Sequence, residues 1–289
     1  MDSYEWSRII PPWVFPTWAT ALGLVLGSFA NVCIHRLPEH RTVLWGRSAC
    51  PACGHRIRAV DNLPIVSWLW LGGRCRDCGA TISWRYPLVE LLTGLLCLGL
   101  ALLFGPGAGF AVMALFGLAL VVLFFTDLET MLLPDAVTLT GTVTGILLAP
   151  WNPLLTDEGA PGSGRPMLSA LGGALAGAGL VLVIMLGWRL WSRGRLGPEA
   201  TEEERTGMGQ GDLKMLALIG AFVGLKQVFV VTFMAAILGS VVGLVLMAVR
   251  GDGRRTVLPF GTFLALAALG TIFYGEAALA WYLRLLGFS

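Results

Sequence analysis

The chain has 289 residues, of which 56% are hydrophobic and only 13% charged, and its mean hydropathy is +0.75. That is too apolar for a soluble globule, in which about a quarter of residues carry charge. A net charge of only +2 leaves no electrostatic footprint for nucleic acid, and none is expected as a partner. The composition reads as an all-α polytopic membrane protein whose first partner is the lipid bilayer, and 38 glycines suit helices packed closely in lipid.

In chain order, Met1 to Pro12 is an expected interfacial lead-in, with Trp6 and Trp13 as interface anchors. Asp2 and Glu5 precede the first apolar run, with Arg8 the only basic residue there, so a retained span rather than a cleavable signal is expected. The run from Trp13 to about Ile34 is long enough to cross about 30 Å of hydrocarbon. Its Gly23 and Gly27 have the small-xxx-small spacing that admits a neighbouring helix. His35 to Arg85 is polar and holds eight arginines against Glu39, Asp61 and Asp77, which places it in the cytoplasm. Spans follow at Tyr86 to about Phe104 and about Ala108 to Thr126, joined by the turn at Gly105-Pro106-Gly107.

Asp127 then falls at the cytoplasmic face. Pro134-Asp135 opens a span to about Ala149, with Asp135 reading as a capping carboxylate. The Pro/Gly-rich segment from Pro150 to Pro166 is an expected external loop. Met167 to Trp188 re-enters, and the charged stretch from Arg189 to Gly211 lies inside. Leu213 to about Leu225 is short for a span, so it is tilted, broken or shielded by protein. Val228 to Val249 crosses, and Leu258 to about Leu286 is one long span or a kinked pair around Gly275-Glu276. The simplest count is eight transmembrane helices with both termini outside. Three parts are expected: 1–34 as lead-in and first helix, 35–85 as a cytoplasmic loop domain, and 86–289 as the remaining membrane domain.

This topology puts Asp127 and Asp212 at the cytoplasmic ends of different helices, at one depth. Two adjacent carboxylates do not easily both ionise; sharing a proton, one activates a water while the other protonates a carbonyl oxygen. Gly209 and Gly211 flank Asp212 on one side, and glycine supplies backbone conformations other residues avoid, so a tight turn presenting the acid is expected. The bland alternative is a pair of solvated helix-end charges. Glu129 is a nearby competitor, and Lys214 reads as a snorkelling or headgroup contact.

The cytoplasmic loop contains Cys50-Pro-Ala-Cys53 and Cys75-Arg-Asp-Cys78, each followed by glycine. Two such knuckles can converge on one ion with four thiolates, which reads as a structural zinc site. His55 is the nearest alternative ligand, more simply a bystander. Cys33 and Cys97 lie in or beside apolar spans and act as small hydrophobes.

Taken together, these features resemble the bacterial type IV prepilin leader peptidases, membrane aspartyl proteases with a Gly-x-Gly-Asp motif. The resemblance covers nearly the full length. It rests on Gly27-Ser28-Phe29-Ala30-Asn31-Val32 with His35-Arg36-Leu37-Pro38, and on the paired Cys-x-x-Cys loop with Leu63-Pro64-Ile65-Val66-Ser67-Trp68. It continues through Arg85-Tyr86-Pro87-Leu88-Val89-Glu90-Leu91, Asp127 with Leu132-Leu133-Pro134-Asp135, and Gly209-Gln210-Gly211-Asp212. The resemblance implies that Asp127 and Asp212 are a catalytic dyad cutting the basic leader from pilin and type II secretion pseudopilin precursors. It also implies the bacterial inner membrane and an active site facing the cytoplasm. Many such enzymes N-methylate the new first residue with S-adenosylmethionine, an activity associated with the part that holds the tetracysteine loop. A bifunctional enzyme is therefore expected, with Asn31, Arg36 and Glu90 as candidate methyl-donor contacts. Their simpler reading is interhelical hydrogen bonding for Asn31 and Glu90 and a positive-inside anchor for Arg36. The 85 positions from Asp127 to Asp212 exceed the family expectation, the excess lying in 150–166 and 189–206. Two other readings compete: a proton-coupled transporter, and a non-catalytic zinc-stabilised secretion scaffold.

Overall fold

The structure is a computed structural model that describes residues 11–43, 45, 48–156, 164–193, 208–250 and 258–285. Most of the expected lead-in, much of both expected loops at 150–166 and 189–206, and the segment carrying Arg254 and Arg255 lie outside the described residues. The regular structure is helical: α1 Val14–Arg36, α2 Val66–Trp70, α3 Arg85–Phe104, α4 Ala108–Thr130, α5 Asp135–Leu148, α6 Pro153–Thr156, α7 Arg165–Ser192, α8 Gln210–Arg250 and α9 Phe260–Leu285. Among the described residues, β pairing is confined to two isolated antiparallel bridges.

Five of these helices, α1, α3, α4, α7 and α8, are long and apolar enough to cross a membrane. The chain is a polytopic helical membrane protein. The expected count of eight spans is not reached by this measure among the described residues, for two physical reasons. The 14 residues of α5 extend only about 21 Å at 1.5 Å per residue, short of a roughly 30 Å core. The expected spans at 213–225 and 228–249 form the single 41-residue α8, broken at Gly224. The stretch after 258 is one helix, Phe260–Leu285, and not a kinked pair.

The chain divides into two compact units, 1–122 and 123–289. In the first, α1 packs on α3. Gly23 and Gly27 make that approach: a Cβ at 27 would lie 2.6 Å from the Glu90 Cα, and one at 23 would lie 2.7 Å from the Cys97 Cβ. The expected small-residue contact of α1 is therefore with α3, and Cys33 and Cys97 are buried as small apolar groups.

In the second unit, α8 packs against α7, α9 and α5. Gly173 and Gly177 of α7 meet the backbone of α8 at Gly220 and Leu216, so close that neither glycine has room for a Cβ. At Gly224 the backbone turns to φ +80°, ψ 177°, which breaks the helical ladder. The break exposes carbonyls of the preceding turn. Fully buried Asn152 covers one of them, its Nδ2 donating to the Phe222 carbonyl at 2.7 Å.

Candidate active site and metal centre

Asp127 and Asp212 both lie in the second unit and both are buried, at 4% and 9% exposure. Asp127 sits near the end of α4. Its Oδ2 accepts two hydrogen bonds from Thr262, from the backbone N–H at 2.7 Å and the hydroxyl at 3.1 Å. Thr262 is the third residue of α9, so its N–H is one of the donors that a helix leaves unsatisfied at its start. Asp127 thus caps α9 from another helix. Asp212 occupies the equivalent place in α8, third from its start, and its carboxylate lies over Gly209. Each carboxylate stands at the partially positive end of a helix.

One side chain links the two places. A Cβ at Gly211 would lie 3.1 Å from both Cβ and Cδ1 of Leu133, and one at Gly261 would lie 3.1 Å from the same Leu133 Cδ1. Leu133 is therefore in contact with the segment carrying Asp212 and with the segment that binds Asp127. It is held there by the turn between α4 and α5, where Met131 adopts φ +54° and donates its N–H to the Asp127 carbonyl at 2.9 Å. At Gly261 the constraint is direct, because a Cβ would lie 2.9 Å from Asp127 Oδ2.

Two sequence expectations need correction here. Neither Gly209 nor Gly211 has a positive φ, so the glycines do not supply an unusual backbone. A Cβ at Gly211 would crowd Leu133 at 3.1 Å, whereas one at Gly209 would meet only ordinary contact, 3.6 Å from Asp212 Oδ2. Asp135 is not a cap either: Pro134 holds the N-cap position with no side-chain bond. Asp135 instead accepts from Lys214 Nζ at 2.6 and 2.8 Å. Lys214, expected at the headgroups, ties α8 to α5. Glu129 is exposed.

Gly261 and Thr262 escaped sequence reasoning. Their only signal is Pro259 just before an apolar run, which marks a helix start but does not say which carboxylate it will face.

The second cluster belongs to the loop of the first unit. Its two knuckles repeat one geometry. Cys50 N–H donates to the His55 carbonyl at 2.9 Å and Gly54 N–H to the Cys50 carbonyl at 2.8 Å; Cys75 to Ala80 at 2.8 Å and Gly79 to Cys75 at 2.9 Å complete the match. Gly54 and Gly79 adopt φ +71° and +72°, as such turns require. Ligand atoms of Cys50, Cys53, Cys75 and Cys78 all lie within 4.8 Å of one another, close enough to hold one metal ion. His55 is outside this group, as expected. Backbone N–H groups of Cys53 and Ala52 hold the Cys50 thiol down at about 7. Cys53 is drawn down by the backbone at His55, but burial and the facing thiols of Cys78 and Cys50 push it up to about 12. Without a cation the four sulfurs compete for protons; a divalent ion removes that conflict. Across the knuckles, Arg76 binds Asp61 through two nitrogens at 2.6 to 3.0 Å.

The three candidate methyl-donor residues divide. Asn31 and Glu90 gather around Gly27. Asn31 Nδ2 donates to the Tyr86 carbonyl at 3.1 Å and the Gly27 carbonyl at 3.3 Å, while its buried Oδ1 has no partner among the described residues. Glu90 is buried, and its Oε2 accepts from the Ile65 N–H at 2.7 Å. Arg36 faces the loop, its Nη1 donating to the carbonyls of Thr42 and Trp45, each at 3.3 Å.

The fold and these two clusters define a class: a polytopic membrane protein with a tetrathiolate loop and buried carboxylates at helix ends. A family model for the Bacterial Peptidase A24 N-terminal domain matches residues 21–104, and one for the Type IV leader peptidase family matches residues 113–244. A prepilin leader peptidase/N-methyltransferase of Aeromonas salmonicida is 37% identical over 297 residues, covering 94% of this chain and 95% of that protein. Proteins of the same name from Pseudomonas putida and Pseudomonas aeruginosa are 35% and 32% identical, each covering 96% of this chain. No solved structure matches the chain. The chain belongs to the type IV leader peptidase family of prepilin leader peptidase/N-methyltransferases. That family gives no support to a transporter or a non-catalytic scaffold.

Proposed function

We propose that the chain removes the basic leader from type IV prepilins and type II secretion pseudopilins and then N-methylates the new first residue. Asp127 and Asp212 are the peptidase dyad, with Gly209 and Gly211 in the catalytic loop. The observation that carries this reading is that both carboxylates are buried at helix starts whose segments contact one side chain, Leu133. In the reaction one aspartate, ionised, takes a proton from the attacking water. The other, protonated, donates to the scissile carbonyl oxygen as the tetrahedral intermediate forms. The first then returns its proton to the leaving amine. The Thr262 donors leave Asp127 Oδ1 as the oxygen for the water or the shared proton.

Zinc suits the loop. A tetrahedral Zn–S₄ centre with bonds of about 2.3 Å sets sulfurs about 3.8 Å apart, and Cys50 Sγ and Cys78 Sγ are separated by 3.8 Å. The ion is structural, since four thiolates leave no open position. For S-adenosylmethionine, the orphaned acceptor at Asn31 fits an N–H or O–H donor, with Glu90 and Arg36 as further contacts. The sulfonium supplies the methyl group. The reading includes three parts, 1–34, 35–85 and 86–289, and eight spans. It places the chain in the bacterial inner membrane, with the arginine-rich loop and the dyad facing the cytoplasm.

The test is purified protein in detergent with a precursor peptide. Wild type cleaves it and adds one methyl group, read by mass spectrometry. Asp127→Asn and Asp212→Asn each leave it uncut while keeping the wild-type metal content. Cleavage by either variant at the wild-type rate overturns the dyad.

A further inference from the structure

Between the two knuckles the loop carries apolar side chains that nothing in the loop covers. In α2, Trp68 turns inward: its Nε1 donates to the Ile82 carbonyl at 3.1 Å, and its ring lies 2.9 Å from where a Cβ at Gly73 would stand. Val66, Leu69 and Trp70 turn outward, at 55%, 66% and 82% exposure. Their spacing of three and four residues puts them on one face. Leu63 just before them is also exposed.

The place where this face hangs is fixed. The Ile65 N–H is bound by the Glu90 carboxylate at 2.7 Å, and Ile65 is driven to φ +61°, a conformation a β-branched residue resists. Glu90 is five residues into α3, about 7.5 Å along the axis of a membrane-spanning helix. The start of α2 is therefore tied beside the span rather than above it. Next to Glu90, Leu91 and Leu92 are exposed apolar residues on α3, a surface that a membrane-spanning helix gives to lipid. The same loop carries exposed Arg56, Arg58 and Arg74, with Arg58 3.7 Å from Asp77, and its basic residues far outnumber its acids.

We propose that Val66, Leu69 and Trp70 form an interfacial anchor that dips into the headgroup and upper acyl layer of the bilayer, continuous with the lipid-facing side of α3. The occupant is the lipid surface, with its anionic headgroups meeting the loop arginines. Trp and Leu suit that depth, one amphipathic and one apolar. The anchor holds the metal loop flat against the membrane.

The experiment uses the full chain, labelled with fluorotryptophan, in nanodiscs of mixed zwitterionic and anionic lipid. Trp70→Phe and Trp68→Phe assign the two fluorine resonances by their disappearance. A lipid spin-labelled near the top of its acyl chain should broaden the Trp70 line several-fold more than the Trp68 line. An aqueous gadolinium chelate should leave Trp70 nearly unchanged. Leu69→Glu should reverse this, making Trp70 sensitive to gadolinium with the metal content intact. Gadolinium broadening of wild-type Trp70 without a lipid effect overturns the proposal in favour of a water-exposed face. Protection from both probes overturns it in favour of a protein occupant, a second copy or the substrate.

Discussion

In the loop between α1 and α3, only Cys50 and Gly73 are buried among the described residues 37–84. Around Asp212, by contrast, Met215, Leu216, Leu218 and Ile219 are fully buried in the turns that follow. The loop has almost no core and gathers around four sulfurs and an arginine-aspartate pair whose arginine is exposed and whose aspartate is largely covered. The aspartate site is shaped by apolar packing and by glycines at which a Cβ would crowd Leu133 or Asp127. The first region should respond to its ligand and the second to volume.

The largest effect expected is on the loop. Removing the ion with a chelator, or by Cys75→Ser, should forfeit on the order of 10 kcal/mol of metal-linked folding energy. Limited proteolysis should then cut the loop while the second unit stays intact. Elemental analysis should find one ion per chain before treatment. Equal proteolysis with and without metal would erase the distinction between the regions.

Gly261→Ala tests the other side. Its added Cβ would stand 2.9 Å from Asp127 Oδ2 and should displace the carboxylate. A misplacement of about 1 Å costs about 10²-fold in rate. The loss should fall on kcat, with KM and metal content unchanged. Thr262→Val is milder, because the backbone N–H at 2.7 Å remains when the hydroxyl at 3.1 Å is lost. A single hydrogen bond of about 1 kcal/mol predicts a roughly fivefold fall.

The smallest effect concerns pH. The Arg76 guanidinium bound to Asp61 holds its carboxyl below the usual range. A lowered folded pKa gives a contribution present above the unfolded value of about 3.9 and lost as pH falls through the lower folded one. Asp61→Asn should therefore lower loop protease resistance slightly at neutral pH, and the difference from wild type should vanish as pH falls below about 4. A large difference at neutral pH, or one that persists below about pH 4, would mean the pair does more than a partly exposed bridge can.

Sequence reasoning reached the parts of this molecule that local chemistry dictates. Two Cys-x-x-Cys-Gly segments have one economical solution, a four-sulfur cluster, and that cluster is present. Apolar runs gave the long helices, because hydrocarbon thickness sets their length. What stayed hidden depends on distant partners. Nothing near Thr262 announces that it binds a carboxylate 135 positions away. The glycines of the 209–211 turn invite a conformational explanation, yet neither has a positive φ, and only at Gly211 would a Cβ crowd a neighbour, Leu133. Asp135 had every local mark of a cap but found a full cation across the bundle in Lys214. The break at Gly224 was visible only as a span too short to cross.

The central claim is that Asp127 and Asp212 work as one unit, and a double-mutant cycle on leader cleavage tests it most directly. Rates should be measured for Asp127→Asn, Asp212→Asn and the double variant, each with intact metal content. Residues acting together lose nearly everything at the first substitution, about 10⁴-fold or more, and little further at the second. The account predicts equal rates for all three. Losses that multiply, or one single variant that still cleaves at the wild-type rate, would contradict it.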